Sequence, residues 1–259
     1  MKRTVLSEKE GKLLSELMAK FGEIVTFEEI FSLLKETQTR QVTRNLVHKL
    51  QNNGWLIRIK KGVYFISELN TLGYLTLNPY KTAQIISKDS YVSFENALQY
   101  HKMFNQLLKS FSSVSLKQYR DKTIDNTTFI FKKTKPDKFY GWQEEKVDNY
   151  SVKIATPEKA MIDILNFNRN LYSIDLVIEI FKEYLDEINL KRLVDFSERN
   201  NFVIVRIFGF LLDLIDEKSD DFYRLIKDRD DISRMTSAAD LFSSQWRLYY
   251  NKELKRYEG

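Results

Sequence analysis

Apolar residues recur at helical spacing three times before residue 54, and at alternating spacing directly after it. Leu13, Leu14, Leu17, Met18 and Phe21 form the first stripe. Ser7 precedes it with Glu10 three residues on, a capping-box arrangement in which each side chain serves the other's backbone N–H, and Gly22 is placed to end the helix. A second helix of about ten residues starts at Thr26, with Glu29 three residues on and Ile30, Leu33 and Leu34 as its stripe. The third runs from about Thr39 to Asn53, with Val42, Leu46 and Leu50 as its buried seam and Gly54 as a left-handed stop. On that phase Arg40, Arg44, Val47, His48 and Gln51 turn outward. "WLIRI" then alternates, "KKG" turns and "VYFI" returns, which predicts a β-hairpin with Lys60 and Lys61 near its tip.

Beyond Ile66 the pattern loosens. "LNPYKTAQIIS" predicts a short helix with Pro79 near its start, and "YVSFENALQYH" an extended entry followed by a helix. Between Phe111 and Ile154 the runs "SSVSLKQ", "TTFIFKK" and "YSVKIA", separated by polar turns, predict a small mixed or antiparallel sheet. Thr156, Pro157 and Glu158 open a helix through "EKAMIDIL", with threonine as cap and proline in the first turn. From Ser173 to Asp228 the stripes describe a helical array. Its most apolar member, "FVIVRIFGFLLDLI", is interrupted by Arg206 and reads as a central core helix rather than a membrane span. The first half of "SSQWRLYYNKELKRY" reads as a late strand returning to the sheet.

Composition narrows the function classes. At 259 residues and 43% hydrophobic, the chain is long enough for one large domain or two smaller ones with a real core. The absence of cysteine excludes a disulfide scaffold and thiolate metal sites, and His48 and His101 stand far apart, so neither a metal nor a cofactor is expected. With no apolar signal core and no membrane-length apolar run, a soluble cytoplasmic protein without a membrane partner is expected. Arg40, Arg44, Lys49, Arg58, Lys60 and Lys61 lie within residues 37–62, which contain no acid. These six charges exceed the net +5 of the whole chain, so the basic excess is local.

Three helices, the third with a polar outward face, followed by a basic-tipped hairpin, are the order of a winged helix-turn-helix. Arginine suits such a face because its fork pairs with guanine O6 and N7, while lysines at a hairpin tip serve phosphate oxygens as point charges. Arg40 and Arg44 are expected to read bases of double-stranded operator DNA, with Thr43, His48 and Gln51 adding polar contacts. Arg58, Lys60 and Lys61 are expected to hold the backbone. The expected fold class is α+β: a winged helix-turn-helix over 1–67, then a larger mixed α/β domain, rich in helices, over 68–259.

The winged N-terminus, "YVSFENALQYH", "KFYGW", "IATPEKAMIDIL" and "QWRLYYN", in that order, resemble the AbiEi family of antitoxins. The resemblance covers most of the chain, and "TPEKAMIDIL" is its most specific piece. It implies a non-enzymatic antitoxin and transcriptional repressor of phage defence. Such a protein binds inverted repeats in its own promoter and counters an AbiEii-like nucleotidyltransferase toxin through the larger domain, without need of a stable complex. Pro157, Glu158, Lys159 and Asp163 are the recognisable motif residues, for which a capped helix docking on the sheet is a sufficient local reason.

Two other readings fit the residues. One is a stand-alone winged-helix regulator whose larger domain senses a ligand or oligomerises. The other is a metal-dependent nuclease built on Asp137, Glu144 and Lys146 of "KPDKFYGWQEEK", since two carboxylates and a lysine can hold Mg²⁺ and position water.

Overall fold

The computed structural model describes residues 6–67, 77–124 and 126–257. The chain is a mixed α+β protein with several sheets, and it divides into two compact units. The first comprises Met1–Lys88 with Thr123–Thr127, and the second comprises Asp89–Lys122 with Thr128–Gly259. The expected boundary at 67/68 adjoins residues 68–76, which lie outside the described residues.

In the first unit the order is α1 (Glu8–Phe21), β1 (Ile24–Thr26), α2 (Phe27–Leu34), α3 (Arg40–Asn52), β2 (Leu56–Lys60), β3 (Val63–Ile66) and α4 (Pro79–Ile86). The starts of α1 and α2 follow from their capping boxes. Ser7 and Glu10 satisfy each other's backbone N–H, and Thr26 and Glu29 do the same. Thr39 caps α3, and Gly54, at φ +80°, turns the chain into β2. The β2–β3 hairpin turns at Gly62, φ +75°, and its register shifts between Arg58 and Lys60. A strand that the apolar pattern does not announce, β1, adds to β3 and makes an antiparallel sheet in the order β1-β3-β2. Leu14, Leu17, Val25, Ile30, Val47, Leu50, Leu56 and Ile66 form the core beneath these elements.

The second unit begins with β4 (Ser90–Val92), α5 (Phe94–Tyr100) and β5 (Ser110–Ser115). Next come β6 (Lys122–Ile124), at the chain boundary of the two units, β7 (Thr127–Lys133), β8 (Trp142–Val147) and β9 (Tyr150–Ala155). Its main sheet runs β7-β5-β4-β9-β8 and is mixed: β4 pairs antiparallel with β5 and parallel with β9. The helical array is α6 (Pro157–Phe167), α7 (Leu171–Tyr184), α8 (Leu190–Asn200), α9 (Phe202–Leu214) and α10 (Asp220–Ile226). Helix α9 is buried from Ile204 to Leu212, and among the described residues no helix is long and apolar enough to cross a membrane.

The C-terminal strands depart from expectation. β10 (Ser233–Arg234), β11 (Leu241–Ser243) and β12 (Leu248–Tyr250) form their own sheet, in the order β10-β12-β11. "LYY" therefore does not return to the main sheet. Its neighbours in the chain supply its partners; Leu248 is buried, and the half-buried Tyr250, whose ring lies 4.6 Å from that of Phe210, turns toward α9.

Candidate nucleic-acid interface

Helix α3 is amphipathic on a phase different from the one its apolar residues suggest. Its buried residues are Thr43, Val47 and Leu50, whereas Val42 is 48% exposed and Leu46 only partly buried. Threonine can occupy the seam because its hydroxyl donates to the Thr39 carbonyl one turn back, at 3.3 Å, which satisfies its polarity inside the helix. Thr43 is thus corrected from a solvent-facing contact to a core residue. At 100° per residue the face opposite the seam is centred on Gln41, Asn45, His48 and Asn52, all exposed, with Arg44 and Lys49 along its edges. Gln51 lies near the buried edge and is half-buried. Had the seam been anchored on Thr43, Val47 and Leu50, the spacing alone would have disclosed Gln41, Asn45 and Asn52.

Side chains on this face hold one another. Gln41 Nε2 donates to Asn45 Oδ1 at 3.2 Å, Arg44 Nη1 donates to Gln41 Oε1 at 3.4 Å, and Asn52 Nδ2 lies 3.2 Å from His48 Nδ1. Such a row orients amide and guanidinium groups outward at little further entropic cost when a partner arrives. Asparagine and glutamine can pair bidentately with adenine, and arginine with guanine.

Arg40, Lys49 and Lys60 are each tied to another element of the first unit. The Arg40 guanidinium is ion-paired with Glu28 and lies 5.2 and 5.3 Å from the Phe27 and Phe31 ring centroids, so its first role is to fasten α3 to α2. Lys49 pairs with Glu10 of α1 at 2.9 Å. That bond, with help from the Ser7 backbone, holds the Glu10 carboxyl down at about 2. Lys60 donates to the Ile85 carbonyl at 2.5 Å near the end of α4, and burial, with the neighbouring charge of Lys88 second, lowers its pKa. Lys60 does stand at the hairpin tip, paired with Val63, but its side chain ties β2 to α4. Arg44, Arg58 and Lys61 are exposed, as are the ion-paired Arg40 and Lys49.

The motif residues of the second unit face inward. Glu158, Lys159 and Asp163 are each 1% exposed, and Pro157 is half-buried at the first turn of α6. Glu158 accepts from the Asn189 backbone N–H at 2.9 Å and from Arg192 at 3.4 Å, which positions the start of α8. Lys159 Nζ meets Asp163 Oδ1 at 2.6 Å, and the other carboxylate oxygen accepts from the Ser93 hydroxyl at 2.7 Å and the Tyr91 phenol at 3.0 Å. Two cations lie near the Tyr140 ring centroid, Lys159 at 4.8 Å and Arg199 at 4.0 Å, and burial above all raises its phenol to about 12. This closed network joins α6 to the sheet and to α8. The candidate nuclease residues are placed otherwise. Asp137 sits in a short 3-10 turn (Pro136–Lys138), while Glu144, exposed on β8, accepts from Ser151 Oγ at 2.9 Å.

No protein-family profile matches the chain, and no curated protein sequence matches it. Among solved structures, the fold is similar to that of the RV2827C protein from Mycobacterium tuberculosis. The TM-score is 0.69, with 97% of this chain and 95% of that chain covered, at 12% identity. At that identity the likeness is one of fold alone.

Proposed function

We propose that the first unit is a winged helix-turn-helix that places α3 in the major groove of duplex operator DNA. The hairpin β2–β3 then serves as the wing on the phosphate backbone. The observation that carries this reading is the outward face of α3, a row of amides and an arginine beside a hairpin that exposes Arg58 and Lys61. Arg44, Asn45 and Gln41 are the base readers in this arrangement, His48 and Asn52 extend their row, and Val42 offers an apolar contact suited to a thymine methyl. Arg58 and Lys61 hold phosphates, whereas Arg40 and Lys60 act from within the unit.

Taken with the resemblance carried by "TPEKAMIDIL", the protein is an autorepressor and antitoxin acting in the cytoplasm. It binds rather than catalyses, and its second unit counters an AbiEii-like nucleotidyltransferase toxin. The test is fluorescence-anisotropy titration of the full-length protein on its own upstream DNA and on scrambled DNA at two salt concentrations. Sequence-selective binding that Arg44→Ala or Asn45→Ala weakens by about 1–3 kcal/mol supports the reading. Weak, equal binding to both duplexes overturns it. Lys61→Ala should weaken both DNAs alike and lower the salt slope by about one unit. Growth arrest by a co-expressed toxin of that class, unrelieved by this protein, removes the antitoxin half.

A further inference from the structure

The row of side chains along α3 has a direction. Arginine carries N–H groups and no acceptor, so the 3.4 Å contact from Arg44 Nη1 fixes which end of the Gln41 amide faces it: the oxygen. The Gln41 nitrogen is thereby turned toward Asn45, and the atom it meets at 3.2 Å is the Asn45 oxygen. Neither amide can be reversed without setting donor against donor. Arg44 is backed by the Phe27 ring, whose centroid lies 6.0 Å from the guanidinium carbon. Gln41, Arg44 and Asn45 are all exposed, and α3 carries no acidic side chain from Arg40 to Asn52. Water leaves this face when the helix enters a groove, and linked hydrogen bonds strengthen as they are desolvated.

The groups left over along this row are donors. Both amide oxygens already accept a bond, whereas Asn45 Nδ2, the second N–H of Gln41 Nε2 and the rest of the Arg44 fork remain to be used. Asparagine reads adenine by accepting from N6 while donating to N7, so adenine requires the very oxygen that Gln41 occupies. Cytosine offers the major groove only a donor. Guanine offers N7 and O6, both acceptors, and no donor. We infer that the DNA held by α3 carries guanines beneath Arg44 and Asn45, and that Gln41 sets this preference by occupying the Asn45 oxygen. The inference rests on the operator reading and goes beyond it, since it names the base and the residue that selects it.

The experiment selects duplexes from a randomised pool with the full-length protein, and then titrates the selected duplex by fluorescence anisotropy. Neighbouring guanines on one strand are the expected core of each half-site. Replacing them by 7-deazaguanine, which still pairs with cytosine but lacks the N7 acceptor, should weaken binding about tenfold. Gln41→Met keeps the length of the side chain and removes its amide, which frees the Asn45 oxygen. At one position the preference for guanine over adenine should then fall about tenfold, with the salt slope unchanged because no phosphate contact is lost. Gln41 is exposed, so this substitution leaves the core intact, which circular dichroism checks. Selection of adenines by the parent protein overturns the inference and leaves the operator reading standing. So does a guanine preference that Gln41→Met does not alter, or that 7-deazaguanine does not disturb. A pool that yields no preferred sequence overturns the operator reading, and this inference with it.

Discussion

At single residues, the buried charges of the second unit decide most. The Lys159–Asp163 pair is fully enclosed, and an enclosed ion pair is costly to break because the survivor stays charged without a partner. Asp163→Ala should lower unfolding stability by about 3–5 kcal/mol, while exchanging both residues for apolar ones of similar volume should cost less than either single change. Urea unfolding of the three variants is the check; a double variant as unstable as the singles would refute the argument. Gly209 sets a second constraint. A Cβ there would lie 2.1 Å from the Trp246 ring, whose indole N–H donates to Asp213 at 2.7 Å. Gly209→Ala should therefore destabilise by about 3 kcal/mol through overpacking, read as a drop in Tm. The motif marked Lys159 and Asp163, but nothing in the spacing disclosed that they pair in the interior or that Gly209 faces an indole. Lysine, glutamate and aspartate at a helix start ordinarily read as surface, and only the contacts show them turned inward.

Among elements, the helix caps were legible and the phase of α3 was not. Ser7/Glu10 and Thr26/Glu29 are local devices whose partners sit three residues away, so spacing suffices to find them. The burial of Thr43 depends on a hydroxyl bonding back to Thr39, which a count of apolar residues overlooks, and the predicted seam came out rotated. Likewise the window 37–62 contains no acid, yet Glu28 and Glu10 reach it from α2 and α1. The α1–α3 tie carries a pH signature. Lys49 holds Glu10 at about 2, below its ordinary 4.5, so the folded unit binds that proton less tightly than the unfolded chain. The stabilisation is present above about 4.5 and is lost as pH falls toward 2. Glu10→Gln should flatten that part of the stability profile. Unfolding midpoints of parent and variant, compared from neutral pH down to acid, are the measurement, and parallel curves would show that the tie does not matter.

For the molecule as a whole, α+β character and the helical array from residue 171 onward followed from periodicity, because long amphipathic stripes determine element type without knowledge of their partners. Which strands share a sheet did not follow. β12 could have joined either sheet by pattern, and its pairing with β10 and β11 depends on the turns around it. The division of the chain also shapes the functional experiments. Helix α4 belongs to the first unit, tied there by the Lys60 bond to Ile85 and the Lys81–Glu23 pair at 2.6 Å, so a cut after residue 67 would strip that unit of an element. Full-length variants are the better instrument. If DNA binding and toxin control reside in different units, Arg44→Ala with Asn45→Ala should abolish promoter binding while leaving relief of growth arrest unchanged. Loss of both activities together would show that they are not separable.

The placement of the three tryptophans has an optical consequence. Trp55 is the one indole of the first unit and is nearly enclosed, whereas Trp142 and Trp246 belong to the second. Excited where tyrosine does not absorb, a Trp142→Phe variant would emit from Trp55 and Trp246 alone, one probe beneath α3 and one against α9. The first contribution should red-shift as acid releases the Glu10 tie and the second should hold until α9 itself unfolds, so that separate melting of the two units would appear as two steps in the emission maximum.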